Sequence, residues 1–189
     1  MEPLFSDGQL STELHPQMDS MLAAIARASR DEVQDAAYWM ETYGAVPVEL
    51  DVENIQTHRP EEGVVSFIIP MSGTAELLKY RPSEHSNKVP EADVGTEQIL
   101  FTYEIQVPEL DEAHEFKERF HADLALLQQW LVWSKNDVDK FVAELADVAA
   151  DALLNRREAL DSEDELMQGL GYPELVDADQ KDAIGAPLG

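Results

Sequence analysis

The sequence predicts an α+β fold: an antiparallel sheet of three to four strands, covered on one face by an N-terminal helix and a long C-terminal helical hairpin. Three observations predict it. Residues 110–161 carry apolar side chains at alternating spacings of four and three (Phe116, Phe120, Leu124, Leu127, Leu131, then Val138, Phe141, Leu145, Val148, Ala152), which is an amphipathic helical stripe. Residues 97–107 alternate instead with period two, Ile99, Phe101, Tyr103, Ile105 and Val107 against Thr102, Glu104 and Gln106, which is a half-buried strand. Residues 46–52 repeat that alternation with Val46, Val48, Leu50 and Val52. A sheet with one dry face and helices with one apolar stripe cover each other in two layers.

Taken in order, residues 1–13 are polar and without period, and are expected as a flexible arm. Residues 16–43 place Met18, Leu22, Ile25, Val33, Ala36, Met40 and Tyr43 at helical spacing. Pro16 suits a first turn, Gly44 a terminator, and Ser29 or Asp31 would cap a second helix if the stretch divides. Strands occupy residues 46–107. Pro47 marks 46–52 as an edge or a strand start, and the run Val64 to Ile69, apolar on both faces, reads as a central strand broken by Pro70–Gly73. Residues 74–80 suit either a third strand or a helical turn. Residues 81–95 form a loop of about 15 residues, long enough to suggest a role.

The helical region continues from 110 to about 170. Ser134, Lys135, Asn136 and Asp137 interrupt its stripe, and Asn136 is a fitting N-cap. This favours a hairpin of 110–134 and 137–161 over one rod of about 75 Å, which would need a partner along its length in the manner of a coiled coil. Residues 162–173 add a short turn, and residues 174–189 are expected as an acidic disordered tail.

The chain has 189 residues, 44% of them apolar, and no cysteine. It can therefore build a core, and it has no disulfide and no thiolate metal site. No apolar run approaches a membrane span and no signal peptide opens the chain, so a cytoplasmic location is expected. The formal net charge is −26. Direct nucleic-acid contact and anionic membrane surfaces are disfavoured, because both demand cations. Segments 1–44, 45–107, 108–161 and 162–189 carry −6, −7, −7 and −6. Such even spreading points to solvation, whether for solubility or for high salt, more than to mimicry of a DNA backbone.

Candidate chemistry is sparse. His114, Glu118 and His121 fall at i, i+4 and i+7 and could share a helix face, the minimum for a metal site, yet such residues beside Lys117 and Arg119 are more often surface ion pairs. There is no nucleophile elbow and no phosphate-binding glycine loop, so catalytic residues, a resident metal and a cofactor are not expected. Lys79, Tyr80, Arg81, Ser83, His85 and Lys88 concentrate three of the 13 Lys and Arg residues within ten positions. They are candidates for partner binding through charge-assisted hydrogen bonds. Trp130 and Trp133, three apart, place one indole on the sheet and one at its margin, a second candidate contact. Arg156 and Arg157 would complement a helix C-terminal dipole.

The run Pro70, Ser72-Gly73, Leu77-Leu78, Tyr80-Arg81-Pro82-Ser83 and Pro90, with Trp133, Asp137-Val138, Phe141, Leu145, Arg156-Arg157 and Leu170-Gly171-Tyr172-Pro173, resembles the N-terminal α+β region that precedes restriction-endonuclease-like modules in uncharacterised bacterial proteins of the defence type. The resemblance covers about residues 45–173, and the sequence stops where the nuclease module would begin. It implies a non-enzymatic accessory or scaffold protein that binds another protein subunit or a second copy of itself, as part of a bacterial antiviral defence system. The alternatives are an acidic DNA-mimic inhibitor and a metal-dependent hydrolase.

Overall fold

A computed structural model describes residues 1–104 and 110–171, and for residues 110–113 the helical backbone alone. The chain runs β1 (Glu2–Pro3), α1 (Leu10–Ile25), α2 (Ala36–Tyr43), β2 (Glu49–Leu50), β3 (Gln56–His58), β4 (Val64–Ser72), β5 (Glu91–Val94), β6 (Gln98–Glu104) and α3 (Leu110–Leu170), with short 3-10 turns at 32–34, 52–54 and 75–79. The class is α+β. The sheet is antiparallel and has six strands among the described residues where three to four were expected, in the order β1-β5-β6-β4-β2, with β3 also on β4. The added strands, β1, β3 and β5, are two to four residues long, too short to show a period.

The expected hairpin is replaced by one helix. α3 holds 61 residues, about 90 Å at 1.5 Å per residue. The polar interruption does not break it, and three of its four members have a use. Ser134 falls in phase with the apolar stripe and is 5% exposed. Lys135 pairs with Asp139 one turn on at 3.0 Å. Asp137 accepts the Ser83 backbone N–H and hydroxyl, both at 2.6 Å.

The cover that such a rod needs comes from the same chain, in two bodies of core. The N-terminal half of α3 (Phe120, Leu124, Leu127, Trp130, Leu131) packs on Ile69, Met71, Ile99, Phe101 and Tyr103 of the sheet. Phe67 stacks on Phe120 with centroids 4.0 Å apart. The C-terminal half (Val138, Phe141, Leu145, Ala149, Leu153) packs on Leu10, Leu14, Met18, Met21 and Ile25 of α1 and on Trp39 of α2. The dry face expected of β6 is this face; Ile105 and Val107 lie outside the described residues. The 3-10 turn at 75–79 ties the halves together, with Leu78 in the first body and Leu77 in the second.

Residues 1–13 are not an arm. β1 pairs with β5, Leu4 is buried, and Phe5, 0% exposed, stacks on Trp130 at 5.1 Å. Phe5 has φ +50°, a costly conformation for an aromatic residue. The Phe5 N–H donates to the Leu78 carbonyl at 2.6 Å, which pins it there. α1 begins at Leu10, so Pro16 sits inside the helix rather than in its first turn. It does so on the exposed side, where solvent can satisfy the carbonyl that the ring leaves free.

The 16–43 region is two helices, and the cap of the second is Asp35, whose side chain accepts the Tyr38 N–H, not Ser29 or Asp31. Ser29 instead donates both its N–H and its hydroxyl to Glu32, which holds the Glu32 carboxyl below its usual range. The 46–52 alternation holds only in the middle. Val48 is buried, whereas Val46 is 60% exposed and Val52 lies in a 3-10 turn. β4 continues through Pro70 to Ser72, where Pro70 stands opposite Gln98 of β6 and its carbonyl accepts the Asp51 N–H at 2.8 Å. It ends at Gly73, with φ +91° and the Pro47 carbonyl 2.1 Å from where a Cβ would stand.

Two measurements check this packing. Asn136→Pro would be tolerated at the start of a second helix but should cost about 3 kcal/mol or more inside a continuous one, read by urea unfolding. Phe5→Ala should cost about 3–5 kcal/mol, where a mobile arm would show no change.

Candidate interaction surfaces

The loop between the 3-10 turn and β5 lies against the middle of α3, and it carries most of the residues singled out from the sequence. The structure brings Ser83, His85, Lys88, Trp130 and Trp133 together. Ser83 is bound to Asp137 as above. The Trp130 indole N–H donates to the Lys88 carbonyl at 3.2 Å, and the Ser86 hydroxyl donates to the same oxygen at 2.9 Å. The His85 ring lies 6.1 Å from Trp130, and Trp133 meets Trp130 edge-on at 5.9 Å. As expected, one indole is buried and the other half-buried. Trp130 is 0% exposed, so its ring is an anchor of the core and not a contact surface.

Lys79, Tyr80 and Arg81 stand at the other end of this loop, near the start of α1. Lys79 pairs with Glu76 at 2.7 Å. Burial first, then a hydrogen bond to Glu13, raises the Tyr80 phenol above its usual pKa. Arg81 exchanges backbone hydrogen bonds with Gly8 and Leu10, and its side-chain Nε is buried without a partner among the described residues. The segment is thus a latch joining the N-terminal strand, α1 and α3. Of the residues singled out from the sequence, His85 and Lys88 are exposed there, with no side-chain hydrogen bond or ion pair among the described residues.

Beside the latch, Asn87, Lys88, Val89 and Glu91 face Arg119, Ala122, Asp123 and Leu126 of α3 across a cleft of about 630 Å³. Its wall is fixed by Tyr103, whose hydroxyl donates to Asp123 at 2.9 Å and whose ring carries the Arg119 guanidinium at 5.2 Å. Burial, then the Asp123 carboxylate, pushes the Tyr103 phenol far above its usual range. Its lining sets the side chains of Lys88 and Arg119 beside the carboxylates of Glu91 and Asp123, with Met1 at the same cleft.

His114 and Glu118 form an exposed pair at 3.3 Å, while His121 lies against the Phe120 ring. Among the described residues no three His, Asp or Glu side chains converge to hold a metal.

The end of α3 is the surface that the sequence reading missed. Up to Leu160 the seam is covered. Arg156 and Arg157, expected to serve a helix terminus, lie mid-helix and donate to the Ala28 and Val33 carbonyls at 3.1 and 2.9 Å. Arg30 spans Asp161 and Asp164 at 2.7 and 2.6 Å, and these bonds, Asp161 foremost, raise its pKa. Beyond this bracket every residue to Gly171 is exposed, including Leu166 (66%), Met167 (42%) and Leu170 (55%). The signal was present: Leu153, Leu160 and Met167 repeat every seven residues, one heptad further than any element could reach. No helix is long and apolar enough to cross a membrane among the described residues.

Comparison of the chain with protein-family models, with curated proteins and with solved structures finds no match.

Tyr103 makes the pH dependence specific. A phenol whose folded pKa is raised contributes stability that is fully present below the unfolded value near 10, and that is lost as pH rises through the folded one. Tyr103→Phe should cost about 1–2 kcal/mol near neutral pH and should flatten the alkaline loss, read as urea midpoints on either side of about pH 10.

Proposed function

We propose that this chain is a non-enzymatic accessory or scaffold protein that acts through contact with another protein subunit, in a bacterial antiviral defence system. The observation that carries the contact is the bare end of α3. A helix that buries its seam for some 40 residues and then presents Leu166, Met167 and Leu170 to solvent is built to be completed by something else. The defence setting is supported only by the resemblance over residues 45–173. The acidic surface accords with a role beside nucleic acid-handling proteins rather than on nucleic acid, since so few cations are available to displace counterions.

One observation favours the DNA-mimic reading. Glu144, Asp147, Asp151 and Glu158 are exposed on one side of α3, spread over about 21 Å of helix axis. That is one carboxylate per about 7 Å, half the density of a single DNA strand at 3.4 Å per phosphate. The protein-contact reading is therefore the stronger.

Purification of the full chain from its native cells, followed by size-exclusion chromatography with light scattering, tests the reading. The expected result is co-elution with a second protein at fixed stoichiometry, weakened in about 1 M salt, where charges are screened within about 3 Å. A bare monomer at both low and high salt would refute it.

A further inference from the structure

We infer that the projecting end of α3, residues 161–171, is a preformed docking helix that inserts Leu166, Met167 and Leu170 into an apolar groove rimmed by lysine and arginine on a partner protein. The inference rests on the interaction-protein reading and narrows it to one surface and one partner chemistry.

Three features of the molecule point there. The first is phase. Leu153 is buried at 2%, Leu160 packs at the margin of the same body of core, and Met167 stands one heptad further on the same line. Leu166 and Leu170, one turn apart, form a second row about 60–100° round the helix from Met167, so the three exposed residues make one patch that starts on the buried line and turns off it. Helix-in-groove recognition uses such i, i+4 anchors.

The second feature is rigidity. Arg30 grips Asp161 and Asp164, and Arg156 reaches Glu163 at 3.6 Å. The helix is thereby fixed to the body at its root, and a partner need not spend binding energy on ordering it.

The third feature is charge, and it selects the partner. Glu158 and Glu165 are exposed near the apolar residues, and although Asp161 and Asp164 are paired with Arg30 and Glu163 with Arg156, five carboxylates against two arginines leave the helix end acidic. The 18 residues after Gly171 hold four acids and one lysine, a net −3, and a second copy of the chain brings −26. Both would meet the acidic flank with like charge. The complement is a cationic surface, of which a second copy with net charge −26 is a poor source.

The test places the photo-crosslinking residue p-benzoylphenylalanine at Met167 of the full chain in its native cells, with parallel versions at His85 and Trp133 of the latch. Mass spectrometry then maps the crosslinked peptide. The captured protein is purified and titrated with the wild-type chain, with Leu166→Ala/Leu170→Ala and with Leu166→Glu/Leu170→Glu. All of these helix-end positions are exposed, so circular dichroism should show unchanged helix content. The expected result is one product from position 167, mapped to apolar residues flanked by Lys or Arg. Its affinity should fall about tenfold or more in both variants and weaken as salt rises.

A crosslink from 167 to residues 172–189 of the same chain, to a second copy, or to an acidic or salt-insensitive surface overturns the inference. Capture from position 85 or 133 with none from 167 also overturns it, yet leaves the interaction-protein reading standing. No capture from any position removes both.

Discussion

Everything in this fold hangs on one uninterrupted apolar seam along α3. The sheet buries its N-terminal half and the α1–α2 pair buries its C-terminal half, so neither body of core is complete without the same helix. Most helical stability in proteins comes from packing an apolar face rather than from propensity. A helix of 61 residues is possible here because two different layers, met in turn, supply that packing. The junction between them falls at Ser134, which is 5% exposed, and the 75–79 turn and the loop after it cross there from one layer to the other.

Those crossing segments explain why the loop after the 75–79 turn is anchored so densely. Its bonds to Asp137 and Trp130 lie on either side of Ser134, and its first residues are bonded to the N-terminal strand and the start of α1. The loop therefore couples the two halves of the protein, and the residues singled out as a cationic binding patch are for the most part spent on that coupling. Phe5, held at positive φ beneath Trp130, belongs to the same joint. The strain it stores is outweighed by a stacked, fully buried aromatic pair.

Much of this was legible in the sequence where periodicity was long enough to read. The alternation Ile99, Phe101, Tyr103 placed β6 and its dry face, and the 4–3 stripe placed α3. The errors have a common physical source. Ser134 to Asp137 looked like a break because polarity in a helix normally means solvent, and the sequence does not show that Asp137 is consumed by Ser83 fifty-four residues away. Leu4 and Phe5 looked idle because a two-residue strand has no period. Val46 and Val52 looked inward because alternation was extended past the two residues that pair. Arg156 and Arg157 looked like terminal cations, although they bind carbonyls of the α1–α2 connection.

The same seam argument bears on function. A helix need not extend beyond the layer that covers it, and each further exposed apolar residue adds the risk of unwanted association. In α3 Met167 keeps the heptad phase past Leu160, Arg30 brackets the base through Asp161 and Asp164, and Glu158 and Glu165 stand exposed nearby. Carboxylates at that position deter a second copy of so acidic a chain, while leaving the apolar residues open to a cationic surface. The acidity that elsewhere on the molecule reads as general solvation therefore has a second consequence at this end: it turns an apolar tip that would otherwise be a liability into a selective one.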